Sequence, residues 1–249
     1  MAHVINNRWL LPTTQVFSKG INNEHTARNS MSIQNLTLTS FLTVDAAAVP
    51  DPNGYGSAGG GTETLGGLFW DGRAGQLETM VLMPIQNPRE MGTDLNVAKI
   101  SKLPYYQKLF NDAFGNSYFS QEQIGRALSL FVSSIKFKNT TYDKYLQAVE
   151  SKQPTDGIMS EQELEGMRLF QGTYNCNNCH QVELVVRTEP RFANIGLNYY
   201  KDKGLSVITG NSGDDGKFKV PSLRNVEFTG PYMHDGSLQT LEDVIEHLQ

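Results

Sequence analysis

Apolar residues recur at helical spacing in the middle of the chain. The segment SQEQIGRALSLFVSSIKF, residues 120–137, is the clearest case, because its apolar positions recur every three or four residues and predict one buried helix face. Those positions are Ile124, Leu128, Phe131 and Ile135. Ser120 is followed three residues later by Gln123, a capping-box pattern that opens a helix. The sequence therefore predicts a helix that begins directly after Ser120.

Other segments carry similar helical signals. Ser160 and Glu163 repeat the capping pattern ahead of LEGMRLFQG, residues 164–172. The apolar face of that segment is formed by Leu164, Met167, Leu169 and Phe170. Helical patterning also begins at about Leu95, and TLEDVIEHLQ, residues 240–249, predicts a closing helix.

The remaining segments are rich in turn-forming residues. Residues 1–50 are predicted to be mostly loop with short helical turns. Residues 51–67, DPNGYGSAGGGTETLGG, are dense in glycine and are predicted to form a surface loop. Residues 181–232 are irregular, with Gly, Asp and Pro breaks. The predicted fold class is mainly α, with short helices and long ordered loops.

Composition narrows the class of protein. The 249 residues suffice for one large domain or two small ones, and 39% hydrophobic with 19% charged residues is ordinary for a globular protein. No apolar run approaches the length of about 18 residues that a membrane span needs, so none is predicted. The formal net charge of -5 argues against a nucleic-acid surface. A negative net charge would suit a partner protein that donates electrons from a positively charged face.

The strongest chemical signal is the motif Cys176-Asn177-Asn178-Cys179-His180, which matches the C-x-x-C-H pattern of covalent haem attachment. Two thiols at this spacing can each form a thioether to one haem vinyl group, and the adjacent histidine then ligates the iron. A zinc site or a redox dithiol stays open as an alternative. The first would need further ligands that the sequence does not obviously offer, and the second a preceding strand where a helix is predicted.

Covalent attachment of c-type haem takes place outside the bacterial cytoplasm. The sequence therefore predicts a periplasmic location, although its first thirty residues lack the basic start and apolar stretch of a secretory signal.

The segments around the haem motif resemble the bacterial di-haem cytochrome c peroxidase family, including its MauG-like members. The resemblance runs from about Val16 to the C-terminus. It rests on the blocks Phe69-Trp70-Asp71-Gly72-Arg73, Pro88-Arg89-Glu90-Met91, Cys176 to His180, Val220-Pro221-Ser222-Leu223-Arg224-Asn225-Val226 and Thr229-Gly230-Pro231-Tyr232-Met233-His234-Asp235-Gly236.

The resemblance implies a pair of cytochrome c-like helical domains. Residues 1–150 would be a partial N-terminal, peroxidatic domain without a C-x-x-C-H motif, and residues 151–249 a C-terminal domain that has one. In the family each domain holds a haem, and calcium lies between the domains. Members reduce hydrogen peroxide with electrons from a small donor, such as a cytochrome c or cupredoxin, or oxidise a partner. They also form homodimers.

Residue roles follow from the same resemblance. Trp70 matches the tryptophan between the haems, and Glu90 matches the acid beside the peroxidatic iron, where a carboxylate can move protons. His25 is a candidate ligand of the N-terminal haem iron, and His234 is expected in the hydrogen-bond network of the C-terminal haem. The calcium ligands would be the Asn29 side chain with the carbonyls of Thr229 and Pro231, an oxygen-only set.

The sequence departs from the family pattern at several positions. The segment RWLLPTT, residues 8–14, stands where relatives carry a first C-x-x-C-H, which favours a truncated chain. Leu248 occupies the position of the Met or Tyr that is the far axial ligand of the C-terminal haem, so the iron would be five-coordinate, water-bound, or ligated by another group such as Met233. Met80 stands where peroxidases often carry Gln.

These departures leave rival functions. The leading prediction is a peroxidase of this family, in which the His180 haem passes electrons through Trp70 to a peroxidatic haem. The alternative is a non-enzymatic mono-haem electron carrier, or an inactive fragment. Retention of the Trp70 and Glu90 blocks favours the peroxidase, and the missing first motif favours the carrier.

Overall fold

The computed structural model describes residues 15–36, 41–46, 61–92, 95, 97–115, 119–180, 191–197 and 200–248. Its helices are α1 (Leu77–Gln86), α2 (Val97–Ser101), α3 (Pro104–Phe114), α4 (Gln121–Ser134), α5 (Thr141–Glu150), α6 (Glu161–Arg168), α7 (Ser206–Thr209) and α8 (Leu241–His247). The strands are β1 (Phe41–Ala46), β2 (Gly61–Gly66), β3 (Phe192–Ala193) and β4 (Phe218–Lys219). The mainly helical class predicted from the sequence is confirmed. Among the described residues, no helix is both long and apolar enough to cross a membrane.

The predicted helix starts are confirmed by their caps. The Ser120 side chain accepts a hydrogen bond from the backbone N–H of Gln123, and Ser160 does the same for Glu163. α8 begins in the same way after Thr240. These reciprocal caps satisfy backbone donors that the first turn of a helix leaves unpaired, which is why short-range sequence patterns located them correctly.

Three helices were not predicted from the sequence: α1, α5, and the short α7 within the segment predicted to be irregular. The sequence of α1, LETMVLMPIQ, is apolar on most of its positions and contains Pro84, so it shows no single stripe. It packs against α4, where Gly125 permits the approach: a Cβ at that position would lie 3.0 Å from the Glu78 carbonyl oxygen. α5 opens with a capping box between Thr140 and Asp143.

One predicted apolar position of α4 is wrong. Ile124 is buried and joins a cluster with Phe110 and Phe119, and Leu128 packs against that cluster. Phe131 instead is 62% exposed. The elements that pack against α4 cover only part of its predicted apolar face. Periodicity predicts which residues share a face, but the neighbouring helices decide which of them are buried.

The predicted loop at residues 51–67 is also corrected. Its last part forms β2, which pairs antiparallel with β1 so that Phe41 lies opposite Gly66 and Ala46 opposite Gly61. β1 likewise corrects part of the predicted loop at residues 1–50. Threonine, valine and phenylalanine in these segments favour extended backbone, a preference that the neighbouring glycines masked in the composition. Residues 47–60, between the strands, lie outside the described residues.

A buried ion-pair network connects segments far apart in the sequence. The Arg28 guanidinium donates from Nε and Nη2 to both oxygens of Asp202, at 2.6 and 2.7 Å, and from Nη1 to Asp71. Arg73 Nη1 adds a second contact to Asp71 at 3.0 Å. Burial alone would raise the pKa of Asp71, but attraction to Arg28 and Arg73 outweighs it and holds that pKa below its usual range. The charges therefore stay ionised and paired inside the protein.

Removing the central cation should destabilise the fold strongly. Arg28→Ala leaves Asp202 without its guanidinium partner and Asp71 with Arg73 alone. We expect the free energy of unfolding to fall by about 3 to 5 kcal/mol, which is typical of breaking a buried ion pair. Urea denaturation of the haem-loaded chain, followed by circular dichroism, measures this change.

Lys108→Ala is the matched control, because Lys108 and Asp112 form an exposed ion pair on α3 at 2.5 Å. Exposed pairs contribute little, so its denaturation curve should overlay that of the parent protein. A loss in Arg28→Ala no larger than the loss in the control would contradict a supporting role for the network.

Candidate haem centre

The cysteine motif lies in a tight turn directly after α6. A π-helical turn, Leu169–Thr173, follows α6, and a 3-10 turn, Cys176–Asn178, contains the first cysteine. Asn175 adopts a left-handed conformation between these turns, with φ of 51°, which asparagine tolerates better than most residues. The His180 N–H then donates to the Cys176 carbonyl at 2.9 Å. Both thiols are free, with Cys176 half-buried and Cys179 exposed, so both can react with one haem.

The imidazole of His180 is oriented by Pro221. His180 Nδ1 lies 3.1 Å from the Pro221 carbonyl oxygen. A carbonyl can only accept, so Nδ1 carries the proton and the lone pair resides on Nε2. Histidines that ligate metals are commonly oriented by such a second hydrogen bond. The arrangement fits a haem iron bound at Nε2.

Large apolar side chains near this turn also fit a haem. Tyr174 is 56% exposed just before Cys176, and Leu223 is 39% exposed just after Pro221. A haem macrocycle has a broad apolar surface that such side chains can cover, at a gain of roughly 25 cal/mol for each Å² removed from water.

Trp70 is linked to the His180 side of the protein by β4. The Lys219 N–H donates to the Trp70 carbonyl at 2.7 Å, and Lys219 is two residues before Pro221. The indole Nε1–H of Trp70 donates to the Asn29 carbonyl at 2.8 Å. Trp70 is therefore held at its backbone and at its ring.

Lys219 is half-buried beside this contact, with its amine desolvated. Its Nζ donates to the Gly67 carbonyl, and burial lowers the pKa of Lys219 to about 8. A buried amine that pairs with a carbonyl rather than a carboxylate is costly to keep charged, which explains the direction of the change.

The structure places Trp70 and Glu90 at one cavity. Side chains that line it include Arg28, Asn29, Trp70, Arg73, Met80 and Glu90. Burial raises the pKa of Glu90, and a 2.9 Å hydrogen bond from Asn87 Nδ2 to Glu90 Oε2 opposes that rise. A carboxyl group with a raised pKa can both release and accept a proton nearer to neutral pH.

The candidate calcium ligands are partly brought together. Asn29 is 5% exposed, and its Nδ2 lies 2.6 Å from the Pro231 carbonyl oxygen and 3.4 Å from that of Met233. Its Oδ1 is buried with no hydrogen-bond partner among the described residues. Thr229 is half-buried in the same turn, and its hydroxyl donates to the Val226 carbonyl. The orphaned oxygen beside these carbonyls fits a cation that takes oxygen ligands.

The candidate histidines occupy different environments. His234 is 3% exposed and stacks on Phe218 with ring centroids 3.6 Å apart. Its Nε2 has no hydrogen-bond partner within the described part of the chain, and burial lowers its pKa. His25 is exposed, and it is not among the side chains that line the Trp70–Glu90 cavity.

Sequence reasoning did not assign a role to several residues at the site. Pro221 accepts from His180, Asn87 donates to Glu90, and Lys219 contacts Trp70. Two of these contacts use backbone atoms, which residue type does not reveal. The Asn-Pro-Arg-Glu order at 87–90 was a usable signal, because asparagine before such a turn often bonds to the backbone that follows.

Fold and site together define a helical c-type haem protein, and comparison with known proteins identifies its family. The family model described as di-haem cytochrome c peroxidase matches residues 3–151. The chain therefore belongs to the di-haem cytochrome c peroxidase family.

Curated relatives include both branches of this family. The chain is 33% identical to cytochrome c551 peroxidase of Nitrosomonas europaea over 72% of its length and 53% of that relative. It is 36% identical to methylamine utilization protein MauG of Methylorubrum extorquens over 72% of its length and 50% of that relative. The chain spans about half the length of these curated relatives.

Solved structures share the fold. A MauG-like protein associated with microbial copper homeostasis superposes with a TM-score of 0.68 and 29% identity, covering 94% of this chain and 65% of the other. The diheme peroxidase BthA from Burkholderia thailandensis gives a TM-score of 0.63 at 21% identity, covering 92% and 59%, and supports the fold alone.

Haem attachment at this turn can be tested directly. The chain contains only the two cysteines of the motif. When the chain is matured in a host competent for c-type haem, we expect the intact mass to include one haem, and Cys176→Ser with Cys179→Ser to lose it. In His180→Ala the covalent haem should remain while its absorption spectrum changes, because the iron loses its protein ligand.

Asn178→Ala is the control, since it changes the motif where the pattern accepts any residue. Its haem content and spectrum should match the parent. Covalent haem in the double serine variant, or none in the parent, would contradict haem attachment at this turn.

Proposed function

We propose that this chain passes electrons from a small donor protein, through a haem c ligated by His180, to a second, peroxidatic haem beside Trp70 and Glu90. The observation that carries this proposal is the connection from His180 to Pro221 and from Lys219 to Trp70, at 3.1 and 2.7 Å. The overall reaction combines one hydrogen peroxide with two electrons and two protons to give two waters. The donor, a cytochrome c or cupredoxin, supplies the electrons one at a time.

A haem at the Cys176–His180 turn would supply reversible one-electron iron chemistry. The residues of this chain would hold it: the two free thiols would anchor the macrocycle, and the Pro221 carbonyl fixes the tautomer and direction of the His180 ring. Covalent attachment takes place outside the bacterial cytoplasm, which supports a periplasmic location.

The role of Trp70 is to bridge the haem turn and the cavity. Its carbonyl accepts a hydrogen bond from Lys219 of β4, and the chain then continues to Pro221, the partner of His180. Its side chain lines the cavity that Glu90 also lines. The path from Trp70 to His180 consists of the hydrogen bond to Lys219, the backbone to Pro221, and the hydrogen bond between Pro221 and His180. A rigid aromatic ring in this position suits electron transfer, because its geometry does not need to reorganise at each turnover.

The role of Glu90 is to move protons during peroxide cleavage. Its carboxyl group faces the same cavity and is half-buried, which raises its pKa. An ionised Glu90 can take the proton from one peroxide oxygen, and the resulting acid can return it to the oxygen that leaves as water. Arg73 lies in the same cavity and favours the ionised form.

A calcium ion at Asn29 would support this arrangement. The Asn29 carbonyl accepts from the Trp70 indole, so a cation held by the Asn29 side chain would also fix Trp70. The orphaned Asn29 Oδ1 and the neighbouring Pro231 carbonyl are the groups that favour it. Rotation of the amide by a half-turn brings Oδ1 to the Pro231 side, where both oxygens can bind one cation.

The rival function is a mono-haem electron carrier. The chain contains a single C-x-x-C-H motif, so one covalent haem is the number that its thiols can hold. A carrier would use His180 and its haem alone and would have no need of Glu90. Haem stoichiometry and peroxide turnover separate the two functions.

Glu90→Gln and Trp70→Phe test the proposed peroxide chemistry. The pyridine haemochrome assay should show that the haem content is unchanged. Glu90→Gln should then lower peroxide turnover by about 100- to 10,000-fold, the usual contribution of general acid–base catalysis. Trp70→Phe should slow transfer of donor electrons while leaving the haem spectrum intact. Turnover is measured with a reduced donor protein.

Glu78→Gln is the matched control, since Glu78 is an exposed glutamate on α1 outside the cavity lining. It should retain the parental rate. One haem per parent chain with no peroxide turnover would instead support the carrier.

Calcium binding gives a separate test of the Asn29 site. Titration calorimetry on the chelator-treated, haem-loaded chain should detect calcium binding that Asn29→Leu abolishes and Asn29→Asp strengthens, because a carboxylate adds charge to the ligand set. Magnesium serves as the control ion, since it requires a more rigid, shorter geometry. Equal calcium affinity in Asn29→Leu and the parent would remove Asn29 from the site.

A further inference from the structure

We infer that Asn87 is a positioning residue for Glu90: it fixes the direction of the carboxyl group and favours its ionised form through the hydrogen bond from Nδ2 to Oε2. This inference rests on the role proposed for Glu90 in peroxide cleavage. It concerns a side chain that lies behind the carboxylate and is itself absent from the cavity lining.

Asn87 is held rigidly where α1 ends. It caps the helix, with its backbone N–H donating to the Met83 carbonyl at 3.0 Å, and Pro88 then prevents the helix from continuing. Its own carbonyl accepts from Glu90 N and Gly92 N, each at 2.9 Å. The side chain is buried, with the residue 5% exposed. Both the start of the turn and the side chain that projects from it are therefore fixed.

The orientation of the Asn87 amide follows from its partners. Oδ1 accepts from the Arg89 backbone N–H at 3.0 Å, while Nδ2 donates to Glu90 Oε2 at 2.9 Å. A flipped amide would face a donor with its NH₂ group and a carboxylate with its oxygen. Both contacts would then be repulsive, so the fixed N–H of Arg89 forces the amide donor toward Glu90.

The backbone of Glu90 is fixed from the other side. The Ile21 N–H donates to the Glu90 carbonyl at 2.8 Å. Gly20 lies so close that a Cβ at this position would be 2.2 Å from the Arg89 carbonyl oxygen. With the main chain clamped, the remaining freedom of Glu90 is its side-chain torsions, and the bond to Asn87 restricts those.

Opposing influences act on the Glu90 carboxyl. Burial raises its pKa, and the Asn87 hydrogen bond and the charge of Arg73 lower it. Among the described residues, Arg73 is the charged side chain that acts on this carboxyl from the segment packed against it; Arg89 lies 3.9 Å from Glu24 instead. Because Asn87 donates to a charged acceptor, its loss should be felt in the ionisation of Glu90.

The test compares Asn87→Ala and Asn87→Asp in the full haem-loaded chain. Infrared difference spectroscopy across a pH titration measures the Glu90 carboxyl, and Glu90→Gln assigns its band by removing it. Asn87→Ala should raise the pKa of Glu90 by about one to two pH units, the value of one hydrogen bond to a charged group. The acidic limb of peroxide turnover should move upward with it, because Glu90 must be ionised to accept the peroxide proton.

Asn87→Asp controls for misfolding of the turn in Asn87→Ala. Its Oδ1 can still accept from the Arg89 N–H, so the turn is retained, but the donor to Glu90 is replaced by a second carboxylate. We expect the two acids to titrate as a coupled pair, with the upper step above the parental pKa of Glu90.

Asn194→Ala is the matched control. Asn194 makes the same kind of contacts, accepting from Gly196 N–H and donating to the Asp215 carbonyl, each at 2.8 Å, at an exposed position. Neither the Glu90 band nor the turnover profile should change. An unchanged Glu90 pKa in both Asn87 variants would overturn the inference.

The outcomes also separate this inference from the proposed function. If Glu90→Gln abolishes turnover while the Asn87 variants move neither the pKa nor the acidic limb, the positioning role fails and the function stands. If Glu90→Gln leaves turnover intact while the Asn87 variants raise the pKa, the function fails and the positioning role stands.

Discussion

Segments from distant parts of the chain meet at the guanidinium of Arg28, and the placement of the site depends on that meeting. Arg28 precedes Asn29, and its partner Asp71 follows Trp70, so the ion pair sets the two segments side by side. The hydrogen bond from the Trp70 indole to the Asn29 carbonyl needs this alignment. Asp202 brings a third segment to the same point. Charges buried this deeply are tolerated only when each is paired, which makes the arrangement specific as well as costly to disturb.

The same alignment connects the Cys176–His180 turn to the cavity through hydrogen bonds. Arg28 also lies over the ring of Phe218, with 5.6 Å between guanidinium carbon and ring centroid, and Phe218 begins the short strand that reaches Trp70 and Pro221. His234 stacks on the Phe218 ring, and its backbone carbonyl accepts a hydrogen bond from the Asn29 N–H. Trp70 is thus enclosed by contacts that all depend on a small number of residues. Rigid placement of this kind would lower the reorganisation that the proposed electron transfer requires.

The sequence could predict elements whose signals are local. Capping boxes located α4 and α6, since each cap is made within four residues, and helical patterning located α8. The haem motif and the family blocks likewise gave Cys176, His180, Trp70 and Glu90 as candidates, and the structure places the last two at one cavity. Contacts between residues far apart in the sequence could not be predicted. Nothing in the composition distinguishes the Pro221 carbonyl or the Asp202 carboxylate from the other carbonyls and carboxylates of the chain. The prediction that Phe131 is buried was wrong for the same reason, because the neighbouring elements decide which part of a helix face is buried.

The residues behind the site show why a buried acid needs neighbours of more than one kind. Burial alone would leave Glu90 protonated over a wider range and unable to accept a proton, whereas a strong ion pair would keep it ionised and unable to donate. The neutral amide of Asn87 supplies one directed hydrogen bond without adding charge, and Arg73 adds attraction while it stays engaged with Asp71. Since Arg73 shares its charge with Asp71, its pull on Glu90 is weaker than that of a free guanidinium. The buried ion-pair network therefore acts on the cavity twice, through the position of Trp70 and through the charge left available to Glu90.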